Sequence, residues 1–70
     1  MNKITSTEEF GKFIREKRKQ QNLTQSELAM YCGTGIRFIS DLENGKPTIQ
    51  FEKALAVLSA LALNFYLGER

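Results

Sequence analysis

Between Thr24 and Gly45 the chain starts and stops two helices in quick succession, and that pair constrains the fold more than any other feature. Thr24 and Glu27 form a capping box, in which the hydroxyl accepts from the Glu27 amide and the carboxylate reaches back to the cap amide. The helix they open carries Leu28, Ala29 and Cys32 on one face. Gly33 ends it after about eight residues, at the position just past a helix that glycine favours. Thr34 caps a second helix at once, Ile39 and Leu42 supply its inward face, and Asn44-Gly45 stop it. Two short helices joined by a glycine-containing turn of about three residues make a helix-turn-helix in the structural sense. In that arrangement the second helix can enter a major groove while the first crosses the backbone.

The flanks read as helices too. Ser6 and Glu9 form another capping box, opening a helix that runs to about Gln21. Phe10, Ile14 and Lys17/Arg18 share one face of it, Lys12, Glu16 and Lys19 point elsewhere, and Leu23 follows as a core plug. After the Lys46-Pro47 loop, Thr48 caps a further helix whose expected buried stripe is Phe51, Leu55, Leu58 and Leu61, widened by Ala54, Val57 and Ala62. The apolar run from Ala54 to Leu63 is about half a membrane span and reads as a core helix, so no membrane partner is expected. Beyond it the period shortens: Leu63, Phe65 and Leu67 alternate with Asn64 and Tyr66, the pattern of a β-strand. A lone strand needs a partner for its backbone groups, and the same strand of a second copy supplies one. Leu63, Phe65, Tyr66 and Leu67 are therefore the expected dimerisation residues of a homodimer; the alternative is a frayed tail.

Composition narrows the chemistry. The 70 residues make a single domain, 1–70, with a core thin enough that association is expected. The chain has no His, no Trp and one Cys, so the commonest general base is missing and no ordinary zinc site can be assembled. We expect no enzyme, no catalytic residue, no metal and no cofactor. Cys32 makes no internal disulfide and MNKITSTEEF lacks the apolar core of a secretory signal, so the expected location is the cytoplasm. A net charge of +2 permits an anionic partner without demanding one.

The run Leu23-Thr24-Gln25-Ser26-Glu27-Leu28-Ala29, then Gly33, then Ile39-Ser40-Asp41-Leu42-Glu43-Asn44-Gly45-Lys46-Pro47-Thr48 resembles the phage-repressor and Cro-like helix-turn-helix family, also called the xenobiotic-response-element type. The likeness runs from about Phe10 to Leu63, most of the chain. It implies an all-α fold: a four-to-five-helix lambda-repressor-like DNA-binding domain with a helix-turn-helix at about 24–44, here with a short C-terminal β-strand at about 63–67 pairing across a dimer. Arg37-Phe38-Ile39-Ser40, the Gly45-Lys46-Pro47-Thr48 loop and the alternating tail are similar to HipB-like antitoxins. That narrower likeness implies a dimer on double-stranded operator DNA, repressing its own operon as the antitoxin of a type II toxin-antitoxin system and neutralising a HipA-like kinase toxin.

The expected DNA-binding set is Gln25, Ser26, Thr34, Gly35, Ile36, Arg37, Ser40, Asn44 and Lys46. Gln25 opens its helix, where side chain and amide can meet a phosphate at the positive end of the dipole. Arg37 is the leading base reader, since a guanidinium can donate to guanine O6 and N7; otherwise it is a solvated charge. Ile36 suits a thymine methyl, Gly35 allows close approach, and Ser40 is small enough for a phosphate or base contact. Lys46 and Asn44 resemble the family's phosphate clamp. The cluster Arg15, Lys17, Arg18 and Lys19 is spread around its helix and serves steering more than contact. By the resemblance, Arg18 and Glu43 form a structural ion pair between the first and third helices. Phe13, Met30 and Tyr31 fall at or beyond the inward stripes and are assigned to a toxin or dimer contact, with core padding or single surface residues as the alternative. A repressor without a toxin, and a protein-binding module that has lost DNA binding, are the competing functions.

Overall fold

The computed structural model describes residues 6–47 and 50–68, with side chains described as far as residue 62. Among these residues there are four helices and no strand: α1 (Thr7–Gln20), α2 (Gln25–Cys32), α3 (Ile36–Glu43) and α4 (Phe51–Gly68). Caps explain the first two starts. Ser6, in extended backbone, accepts from the Glu9 amide at 3.1 Å. At Thr24 the box closes both ways: its hydroxyl accepts from the Glu27 amide at 3.0 Å, and its own amide donates to the Glu27 carboxylate at 2.8 Å. A cap of this kind stabilises by about 1 kcal/mol.

The first three helices stop by one device. Just past each, a residue takes left-handed backbone: Asn22 (φ 60), Gly33 (φ 68) and Gly45 (φ 77). Its amide and the next one donate back into the helix, Asn22 to Lys19 and Leu23 to Arg18, Gly33 to Met30 and Thr34 to Ala29, Gly45 to Leu42 and Lys46 to Asp41, all at 3.0–3.2 Å. These paired bonds satisfy carbonyls that a helix end otherwise leaves open. Asparagine and glycine occupy the three positions because other side chains pay a steric cost there.

Packing follows from the apolar stripes. Ile14, Leu28, Ala29, Ile39, Leu42, Ala54, Val57 and Leu61 form the buried core, with Phe10, Phe13, Leu23, Cys32, Phe38 and Leu58 packed around it. Ile14, Leu28, Ile39, Leu42 and Val57 are fully enclosed, each contributing about 1.5–3 kcal/mol relative to exposure. Helix α1 lies directly on the end of α3. A Cβ on Gly11 would sit 2.7 Å from the Glu43 carbonyl oxygen and closer still to that of Leu42, so only glycine permits this approach. Nearby, the Thr7 hydroxyl donates to the Gly45 carbonyl at 3.0 Å. The far end of α1 reaches α4 through the Gln21 amide, which donates to the Leu61 carbonyl at 3.0 Å.

Three expectations change. The inward stripe of α4 is Ala54, Val57 and Leu61 with Leu58 at its edge, while Phe51 is 72% exposed and Leu55 is exposed beside it. No charged residue falls between Lys53 and Gly68, so more than one face of α4 satisfies helical spacing. The face with small Ala54 and Val57 lets the axis approach the core; Phe51 would hold it away. Next, no strand forms at 63–67: the backbone there continues α4 to Gly68. That segment has no β-branched residue and no breaker before Gly68, and a helix satisfies its backbone groups without a second chain. The side chains of Leu63, Phe65, Tyr66 and Leu67 lie outside the described set, as does the expected cap Thr48. Finally, α3 is capped by Gly35, with no side-chain cap bond, because the Thr34 amide closes the preceding turn on Ala29. No helix among the described residues is long and apolar enough to cross a membrane.

Candidate nucleic-acid interface

The presentation of α3 rests on one polar lock beneath it. Arg18 on α1 donates from Nε to Glu43 Oε2 at 2.6 Å, from Nη2 to Glu43 Oε1 at 3.0 Å, and from Nη1 to the Leu23 carbonyl at 2.7 Å. Gln25, the first residue of α2, donates from Nε2 to Glu43 Oε1 at 3.0 Å. The two charged side chains are only 10% and 3% exposed. Among the described residues no buried side-chain polar atom is left without a partner. Donating hydrogen bonds to Glu43 raises the Arg18 guanidinium above its usual value, outweighing the opposing effect of burial. One carboxylate thus fixes α1, α2 and α3 relative to each other. The expected ion pair is present, and Gln25 joins it.

Above the lock, α3 turns its remaining side outward. Ile36, Arg37 and Asn44 are exposed, and Ser40 lies half-buried between them. At helical spacing Arg37, Ser40 and Asn44 run along one face. The start of α3 is bare: Gly35 offers no capping side chain, and a Cβ there would meet nothing within 4 Å. The fold does not demand glycine at 35, which leaves the helix end open to a close-approaching surface. Thr34 is half-buried and Ser26 is exposed on the first turn of α2. Lys46 is exposed after the α3 stop, its Nζ 3.5 Å from Asp41 Oδ2.

Other predicted residues separate. Of the basic cluster, Arg18 belongs to the buried lock and Lys17 lies over the Phe13 ring at 5.5 Å, leaving Arg15 and Lys19 exposed. Phe13 itself is half-buried against the core, whereas Met30 and Tyr31 are 71% and 64% exposed on α2. Burial raises the Cys32 thiol, which keeps it protonated. Two residues escaped the sequence reading. Gly11 sets the α1–α3 distance, and the signal was a lone glycine inside a helical pattern. Asp41 stands on the outward side of α3, and the signal was an acid in a last helical turn.

A helix-turn-helix family model matches residues 14–66, which takes in the lock, the turn and both helices. The chain belongs to the helix-turn-helix family of the Cro/C1 type. Among its relatives is an uncharacterized HTH-type transcriptional regulator, y4mF, of Sinorhizobium fredii, 46% identical over 97% of this chain and 93% of its own length. The ImmF control region 10 kDa protein of Bacillus phage phi105 is 38% identical over 77% of this chain, and the match spans 62% of that protein.

Proposed function

We propose that this helix-turn-helix protein is a sequence-specific DNA-binding transcriptional repressor that acts in the cytoplasm as a homodimer, without catalytic activity. The observation that carries the reading is the Arg18–Glu43–Gln25 lock beneath an α3 whose outer side is left open. A frame fixed from below and an uncovered helix above are what insertion into a groove requires. Arg37 then reads base edges, Gln25 and Lys46 meet phosphates, and the bare start of α3 admits the backbone of the duplex. The regulator name carried by the Sinorhizobium relative supports the same reading. For the dimer, the support is the exposed Phe51 and Leu55 of α4, apolar surface that a second copy would cover.

Exposed Met30 and Tyr31 favour one further partner, since neither serves the core or the α3 face. Interfaces are enriched in Met and Tyr, which supports an antitoxin role with a HipA-like kinase as partner. Co-purification with the product of a neighbouring kinase-like reading frame, lost on M30E/Y31E, tests that role.

Mobility-shift titration against the protein's own promoter at 50 and 200 mM salt tests the DNA reading. We expect a shift whose affinity falls by about a thousandfold between the two, as counterion release by several phosphate contacts requires. Absence of a shift, or one indifferent to salt, overturns it.

A further inference from the structure

The last turn of α3 holds two carboxylates, Asp41 and Glu43, at the end of a helix where the dipole disfavours anions. Glu43 is accounted for by Arg18 and Gln25. Asp41 has no such account. Its side chain is 32% exposed, and its ion pair among the described residues is a 3.5 Å approach to Lys46, itself 53% exposed. Pairs of this kind contribute little to stability. Asp41 follows Arg37 by one helical turn, so both stand on the outward side of α3. A residue that works against its own helix, in the middle of the face that the domain leaves open, is placed for something other than folding.

We propose that Asp41 selects the base it meets, accepting a hydrogen bond from the amino group of cytosine in the major groove. This rests on the DNA-binding reading above. An ionised carboxylate only accepts. Guanine presents N7 and O6 and thymine presents O4, all acceptors, so each is repelled; adenine sets its amino group beside N7, and cytosine alone offers a donor with no acceptor next to it in that groove. The Lys46 contact completes the device. The same turn that stops α3 folds Lys46 back toward Asp41, the Lys46 amide donating to the Asp41 carbonyl at 3.1 Å. In the free protein the ammonium screens the carboxylate. On a matched duplex the carboxylate exchanges Lys46 for the cytosine amino group, and the freed ammonium turns to a phosphate. On a mismatched one Asp41 keeps the lysine, and both new bonds are lost together.

The test is selection from a duplex library with a randomised core by the full chain, compared with D41N and D41A. The wild-type chain is expected to retain cytosine at one position of each half-site, with about tenfold discrimination against guanine or thymine there. D41N, able to accept and donate together, shifts that position toward adenine, and D41A leaves it without preference. Melting temperatures at or above wild type, expected when an anion leaves a helix C-terminus, establish that both variants fold. If D41A and D41N retain the wild-type base profile at every position, Asp41 is no selector, even where D41A binds all duplexes more tightly. A wild-type chain that selects no sequence overturns the DNA reading and this proposal with it.

Discussion

Helices α3 and α4 are held to the same core by different means. The end of α3 is gripped through backbone and charge: Gly11 lets α1 rest on the Leu42 and Glu43 carbonyls, Thr7 bonds the Gly45 carbonyl, and Arg18 clasps Glu43 with two nitrogens. Helix α4 is held mainly by apolar area, through Ala54, Val57 and Leu61, and keeps Phe51 and Leu55 in reserve outside. Directional bonds and a fixed closest approach define position to a fraction of an ångström, whereas apolar contact tolerates sliding and repacking. The difference places rigidity under the helix proposed to read DNA and leaves adaptability in the helix proposed to meet a second copy.

Removing Arg18 attacks the rigid side hardest. R18A should cost about 3–5 kcal/mol in chemical denaturation, because the Glu43 charge is left buried without compensation. Replacing both partners by apolar residues, R18M/E43L, should restore most of that stability, which would show that the loss came from the stranded charge. The guanidinium is raised in the folded chain, so its contribution is complete below its unfolded value and is lost only as pH climbs through the folded one. Stability from Arg18 itself should therefore not vary between pH 6 and about pH 10.

G11A comes next. Its methyl group meets two carbonyl oxygens, and overpacking of this kind costs about 1–3 kcal/mol, read as a lower melting temperature. The same variant should weaken DNA binding more than its stability loss explains, since α1 can relax only by displacing α3. An unchanged melting curve would show that the α1–α3 contact is as forgiving as that of α4. The smallest effect belongs to the other side: F51S should change monomer stability by less than about 0.5 kcal/mol while shifting sedimentation toward a lower mass. A large loss of stability at 51 would mean that the outer face of α4 is part of the core after all.

What was legible in the sequence was what local chemistry decides. The Thr24–Glu27 box, the stop at Gly33 and the inward Leu28, Ala29, Ile39 and Leu42 each follow from a few neighbouring residues, and the structure has them all. The Arg18–Glu43 pair is distant in sequence and came through family likeness. Choices that depend on shape in three dimensions were hidden. Helix α4 offers several apolar faces, and only the need for small residues at the point of approach selects Ala54 and Val57 over Phe51 and Leu55. The alternation of Leu63, Phe65 and Leu67 imitates a strand, but hydrophobic period is subordinate to a helix already running with nothing to stop it. Gly11 and Asp41 were passed over for a shared reason: each runs against its own helix, and what offsets that lies outside the helix that bears it.

The three left-handed stops carry a consequence for how such a protein can change. Because Asn22, Gly33 and Gly45 set where the first three helices end, the lengths and junctions of the domain are written in the backbone at three points. Apart from the 3.5 Å approach of Asp41 to Lys46, the outward residues 36, 37, 40, 41 and 44 take no part in those junctions through their side chains. They form a panel of interchangeable letters on a frame whose dimensions are stored elsewhere, so a new DNA target can be acquired by rewriting the panel without refolding the domain.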